Sequence, residues 1–245
     1  MPSPAKIYIA LIATLATAAL AVVAYQWKPA HLGQFVLFFA LAMVASTMKI
    51  RLPGLKTSIS TNFVFILIGM ALFSFGETVL IGLGGALVQS LWRPLQRPKA
   101  VQVFFNGACL TVCTAAAFWA SHALPVFLSS SSAAARMTVG ACVYVVLNTG
   151  LVSLVISLAE GQSLKQLWPQ CYEWTFPYFL VGAAVAGLAS AAGQGSNFGV
   201  TLLVVPAMYF VYVYYRMRIV RAVLDNISTV SHENETVLAG ASRGR

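Results

Sequence analysis

The chain has 245 residues, of which 59% are hydrophobic and only 9% charged, with a formal net charge of +9. A soluble domain carries about 25% charged residues, so this composition cannot clothe a surface in water and excludes an ordinary soluble enzyme. It also excludes a nucleic-acid-binding domain, because the Lys and Arg residues sit in short clusters between apolar runs, which is how membrane topology is signalled.

A hydrocarbon core about 30 Å thick takes roughly 20 apolar residues in a helix. Lipid leaves only helices or a closed barrel, since backbone polar groups must be satisfied internally. The apolar runs here are too long and continuous for the alternating strands of a barrel. They predict helices over Ile7–Tyr25, Leu32–Met48, Ile59–Phe75, Glu77–Trp92, Val101–Leu124, Arg136–Leu158, Pro177–Ala192 and Val200–Tyr215. The first is preceded by Lys6 and contains Ala19 and Ala21, as a cleaved signal would. Its apolar run exceeds the usual signal core of about 7–15 residues, so it reads as a spanning helix. The third and fourth are short and joined by Ser74-Phe75-Gly76-Glu77, either as a spanning hairpin or as a re-entrant pair. Leu164–Phe176 carries Trp168, Tyr172 and Trp174 and reads as an interfacial stretch, because such residues favour the headgroup level.

The fold class is therefore all-α, a polytopic transmembrane helix bundle of about eight helices over residues 1–215. A cytoplasmic juxtamembrane helix and a flexible tail are expected over 216–245, with Ser231–Arg245 lacking any apolar face. With an even helix count and both termini cytoplasmic, the inside segments carry Lys6, Lys49, Arg51, Lys56, Arg93, Arg97, Lys99, Lys165, Arg216, Arg218 and Arg221. The outside segments carry Lys28 and Arg136, in loops otherwise as neutral as Ser129–Ser132 and Gly193–Asn197. That asymmetry satisfies the positive-inside rule, as in a protein of the inner-membrane type.

No nucleotide loop, zinc motif or nucleophile elbow is present, so no catalytic residue, metal or cofactor is expected. Cys109, Cys113 and Cys142 lie in apolar runs, and with Cys171 they read as small packing residues. His31, His122 and His232 fall at membrane edges or in the tail, and no acid lies in the middle of a helix. Glu77 opens the fourth helix, where a carboxylate suits the N-terminal dipole.

The informative polar residues are amides. Asn62, Gln89, Gln102 and Asn106 fall at similar depth near the inner ends of consecutive helices, and Gln102 and Asn106, four apart, share a helical face. An amide in lipid must find partners, so these are expected to converge, either as interhelical hydrogen bonds or as a polar ligand pocket open to the cytoplasm. Asn148 and Thr149, mid-helix in the sixth run, are further candidates for ligand contact or for helix pairing. Small residues recur every fourth position at Ala10, Thr14 and Ala18, at Ala13, Thr17 and Ala21, and at Gly182, Ala186 and Ser190. This spacing permits close helix approach, for internal packing or for docking a partner.

Several stretches together resemble one family. They are Leu52-Pro53-Gly54, Ser60-Thr61-Asn62-Phe63, Glu77-Thr78, Gln89-Ser90-Leu91-Trp92-Arg93-Pro94, Arg97-Pro98 and Gln102-Val103-Phe104-Phe105-Asn106. Further along come Asn148-Thr149, Glu160-Gly161, Trp174-Thr175-Phe176-Pro177-Tyr178, Pro206-Ala207-Met208-Tyr209 and Tyr215-Arg216. They are similar to the N-terminal multi-helix membrane module of bacterial signalling proteins, where it precedes an HD-GYP phosphohydrolase or GGDEF cyclase domain acting on cyclic di-GMP. The resemblance implies a sensory or anchoring role, and a fold that also looks like the vitamin-binding S components of energy-coupling-factor transporters. No HD, GYP or GGDEF sequence follows Arg216 here, so any enzymatic output is expected on another polypeptide. The expected function is a membrane module that binds a small ligand or senses membrane state and signals to a cytoplasmic partner. The alternative is a substrate-binding transport subunit docked on its partner through the first helix.

Overall fold

The computed structural model describes residues 2–27, 32–51, 58–94, 97–127, 133–193 and 203–221. The loop Ser129–Ser132, most of Gly193–Asn197, Leu52-Pro53-Gly54 and the tail Ser231–Arg245 lie outside the described residues. In chain order the elements are α1 (Ser3–Tyr25), α2 (Leu32–Ser46), β1 (Lys49–Arg51), β2 (Ser58–Ser60), α3 (Asn62–Leu72), α4 (Phe75–Leu91), α5 (Ala100–Phe127), α6 (Ala133–Glu160) and α7 (Leu164–Gly193). A further helix, α8, covers residues 204–221. The architecture is an all-α bundle of eight helices with one small antiparallel ribbon, Lys49 facing Ser60 and Arg51 facing Ser58.

Among the described residues three stretches are long and apolar enough to cross a membrane, Ser3–Tyr25, Ala100–Ala123 and Ala135–Glu160. Their outer faces suit hydrocarbon rather than water. On α1 the row Ile7, Leu11, Leu15 and Val22 is exposed, with Ile7 at 71%, while Ile9, Ile12, Ala16 and Val23 pack inward. A soluble protein rarely leaves so long an apolar strip uncovered.

At the centre stands α3. Its 11 residues rise about 16 Å at 1.5 Å each, about half the thickness of a hydrocarbon core. Every residue from Asn62 to Met70 is buried, because α2, α4, α5, α6 and α7 surround it. α3 and α4 run antiparallel about the Ser74 turn. Ser74 closes that turn with a capping box: its Oγ accepts from Glu77 N at 3.4 Å, and Glu77 Oε2 accepts from Ser74 N at 2.9 Å. Ser74 Oγ also donates to the same carboxylate oxygen at 2.7 Å.

Close approach around α3 depends on two glycines. A Cβ at Gly85 would lie 1.8 Å from Asn62 Nδ2, and one at Gly182 of α7 would lie 2.0 Å from Phe63 Cζ. Neither contact is possible for a larger residue without displacing a core side chain.

The structure departs from the sequence expectation at α7. Leu164–Phe176 is continuous with the expected seventh helix and forms the first part of one 30-residue helix that contains Pro169 and Pro177. Each proline lacks an N–H and removes one ladder bond, yet the helix runs through both.

Candidate functional site

The amides of the α3–α4–α5 region are held pairwise by α4. Asn62, 1% exposed, donates from Nδ2 to the carbonyl of Ile81 at 3.3 Å, and its Oδ1 is buried without a partner among the described residues. Two turns further along α4, Gln89 Oε1 accepts from Ser60 Oγ of β2 at 3.1 Å. Its neighbour Ser90 accepts from Asn106 Nδ2 of α5, also at 3.1 Å. Gln102 serves the helix end, its Oε1 accepting from Lys99 N at 2.9 Å.

Asn62 lies nearer the N-terminal end of α4 than Gln89 does. It sits beside Gly85, four residues before Gln89, which is about 6 Å away along the helix. The reason is that β2 supplies the outer part of the third apolar run, and α3 begins only where the chain is already inside the bundle. On α6, Thr149 is buried and returns its hydroxyl to Val145 O at 2.7 Å, with Asn148 half-buried beside it. Tyr8 of α1 reaches the same helix, donating to Leu151 O at 3.2 Å.

Other buried polar groups carried no particular sequence signal. Thr111 and Thr114 on α5, Ser153 on α6 and Tyr178 on α7 each bury a hydroxyl without a partner among the described residues, as does Glu77 Oε1 at the α3–α4 turn. Thr114 faces Gly82, whose Cβ would lie 2.5 Å from its Oγ1. Among the described residues no three His, Cys, Asp or Glu side chains cluster, and Cys109 and Cys113 are free and buried.

A chain of aromatic contacts links the buried α3 to α8. Phe63, next to Asn62, packs on Tyr178 with ring centroids 5.5 Å apart, and Tyr178 packs on Tyr215 of α8 at 5.2 Å. Phe63 also meets Phe179 edge-on at 4.5 Å, and Phe179 meets Tyr144 of α6 at 6.1 Å. Tyr178, Phe179, Tyr144 and Tyr215 are all buried, so the contacts are shielded on every side.

The small-residue rows divide. Gly182 and Ala186 are buried and serve internal packing, while the side chain of Ser190 is outside the described set. Ala10, Thr14 and Ala18 on α1 face outward, with Thr14 returning its hydroxyl to Ala10 O at 3.0 Å.

No family model, no curated protein and no solved structure matches the chain. A functional reading therefore rests on its own residues.

Proposed function

We propose that this protein is a membrane-embedded sensory module without catalytic activity of its own. It sits in the bacterial inner membrane with both termini in the cytoplasm, and α3–α4 is a re-entrant pair inside the bundle. A small ligand, or the state of the membrane, acts on the polar positions Asn62, Gln89, Asn148 and Thr149 within the bundle and on Gln102 and Asn106, which are exposed on α5. The helix over 204–221 carries the response to a cytoplasmic partner, of the cyclic di-GMP signalling kind by resemblance. The observation that carries this reading is the contact chain Phe63–Tyr178–Tyr215, which couples the packing of the buried stretch Asn62–Met70 to α8. An effector that favours one packing of α3 shifts α8 only through its differential affinity for the two states.

Thermal unfolding of the detergent-solubilised protein across a metabolite panel tests it. One class of compound raises Tm, and Asn62→Leu or Asn148→Leu removes the shift while leaving the unliganded protein folded. No compound-dependent shift, in detergent or in vesicles of varied thickness, overturns the sensory reading.

A second reading, a substrate-binding transport subunit, is favoured by one observation, the outward-facing row of Ala10, Thr14 and Ala18 on α1. Co-purification of an ATPase, lost when the three residues become Leu, selects it over sensing.

A further inference from the structure

The residues that follow α4 hold an unusual backbone. Helix α4 ends at Leu91, and Trp92 caps it with its N–H on Val88 O at 2.8 Å. The next residue, Arg93, has φ +38°, and no other described non-glycine residue has a positive φ. That position after a helix normally takes glycine, since the left-handed region costs little without a Cβ. Here a cation occupies it. The guanidinium of Arg93 lies over the Trp92 ring, 5.6 Å from its centroid, within range of a cation–π contact. Lys49 of β1 donates from Nζ to the Trp92 carbonyl, which fixes the turn from the other side. A strained residue persists where its surroundings hold it, and such sites concentrate at functional positions.

What the turn presents is a mixed surface. Leu91 is 60% and Trp92 48% exposed. Arg93, Arg97 and Lys99, all within eight residues of Leu91 in the chain, are exposed, and from Trp92 to Asn106 the chain has no Asp or Glu. An exposed indole and leucine with three cations close by in the chain match the boundary between acyl chains and anionic headgroups. Tryptophan favours that depth, and basic clusters beside a membrane helix are drawn to negatively charged lipid. A site for free phosphate needs no exposed Leu91 and Trp92 next to its charges, whereas a lipid supplies both halves.

We infer that the α4–α5 turn, centred on Trp92 and Arg93, is a binding site for anionic phospholipid, with Arg93, Arg97 and Lys99 on the headgroup phosphate and Leu91 and Trp92 on the acyl-chain side. Arg93 is presented by its left-handed backbone, and Lys49 holds that backbone in place.

Titration of phosphatidylglycerol into mixed micelles of the purified protein, read as Tm at each mole fraction, tests this, with phosphatidylcholine and inorganic phosphate as separate arms. Phosphatidylglycerol raises Tm and phosphatidylcholine does not. Replacing Arg93, Arg97 and Lys99 together by Gln lowers the apparent affinity about 100-fold, since a basic residue near an anionic surface contributes about fivefold. Arg93→Gly separates charge from folding. It relieves the left-handed strain, so the lipid-free protein melts no lower than wild type, yet its phosphatidylglycerol affinity falls. Arg136→Gln, on α6 and remote from the turn, keeps the wild-type response. Equal shifts from both lipids, an unchanged response in the triple variant, or the same shift from inorganic phosphate overturns the assignment.

Discussion

Replacing Gly85 by Ala is the sharpest perturbation of the core. The new methyl would sit 1.8 Å from Asn62 Nδ2 and 2.3 Å from its Cγ, where unbonded atoms rest at about 3.5–4.0 Å. Asn62 must retreat by about 1.5 Å or more, and α3 is buried on every side, so there is nowhere for it to go. The retreat breaks the bond to Ile81 O, leaving a buried donor unpaired at a cost of about 1–3 kcal/mol. Overpacking adds about 1–3 kcal/mol. The better helix propensity of alanine returns about 1 kcal/mol. The net expectation is a loss of about 1–5 kcal/mol. Unfolding by SDS in mixed micelles, followed by circular dichroism, measures it. Gly187→Ala is the control, because nothing lies within 4 Å of its Cβ position, and it should be neutral or stabilising by up to about 1 kcal/mol. Adding Asn62→Ala to Gly85→Ala removes the clash, so the double variant should recover at least about 1 kcal/mol relative to the sum of the single changes. Additive effects, or equal stability of the two alanine variants, refute the packing described for Asn62.

The buried hydroxyl of Tyr178 has no partner among the described residues, so Tyr178→Phe should stabilise the bundle by about 1 kcal/mol in the same assay. A loss of that size instead shows the hydroxyl is bonded. Ser74→Ala removes both the acceptor for Glu77 N and a donor to its carboxylate, and should cost about 1 kcal/mol. An unchanged midpoint denies the capping box a stabilising part. Changing Ala10, Thr14 and Ala18 together to Leu should leave stability within about 0.5 kcal/mol, because those positions face outward. A marked destabilisation means that face is packed.

The apolar runs located the helices well, since length and continuity of hydrophobic residues are what lipid demands, and five of the eight begin within three residues of their expected starts, with α1 and α8 displaced by four. The third run also takes in a strand, and α7 begins 13 residues before its expected start. Three-residue strands are too short to show alternation, so Ser58–Ser60 merged into the third run and α3 was expected to start at Ile59 rather than Asn62. Pro177 read as a helix start, because a proline fits the first turn better than the interior. In α7 the aromatic contacts of Tyr178 and Phe179 override that preference. For the candidate site, spacing gave approximate depth but not the partner. That Gln89 would face Ser60, and that Asn106 would face Ser90, depends on how α4 is rotated, which one helix's sequence does not encode. The Phe63–Tyr178–Tyr215 chain joins residues more than a hundred positions apart and left no periodic trace.

The hardest feature to read was that α3 faces protein and not lipid. From Phe63 to Leu72 every residue is apolar or glycine, the composition of a lipid-exposed span. Lipid tails are as apolar as leucine, so hydropathy scores a helix wrapped by other helices the same as one wrapped by acyl chains. What separates them is length and close approach. Eleven residues cannot reach across the hydrocarbon, and the contacts of Asn62 with Gly85 and Phe63 with Gly182 are closer than a fluid chain would hold. A helix so enclosed can move only if its neighbours repack, which is why its short contact path to α8 is the natural place for a change inside the bundle to reach α8.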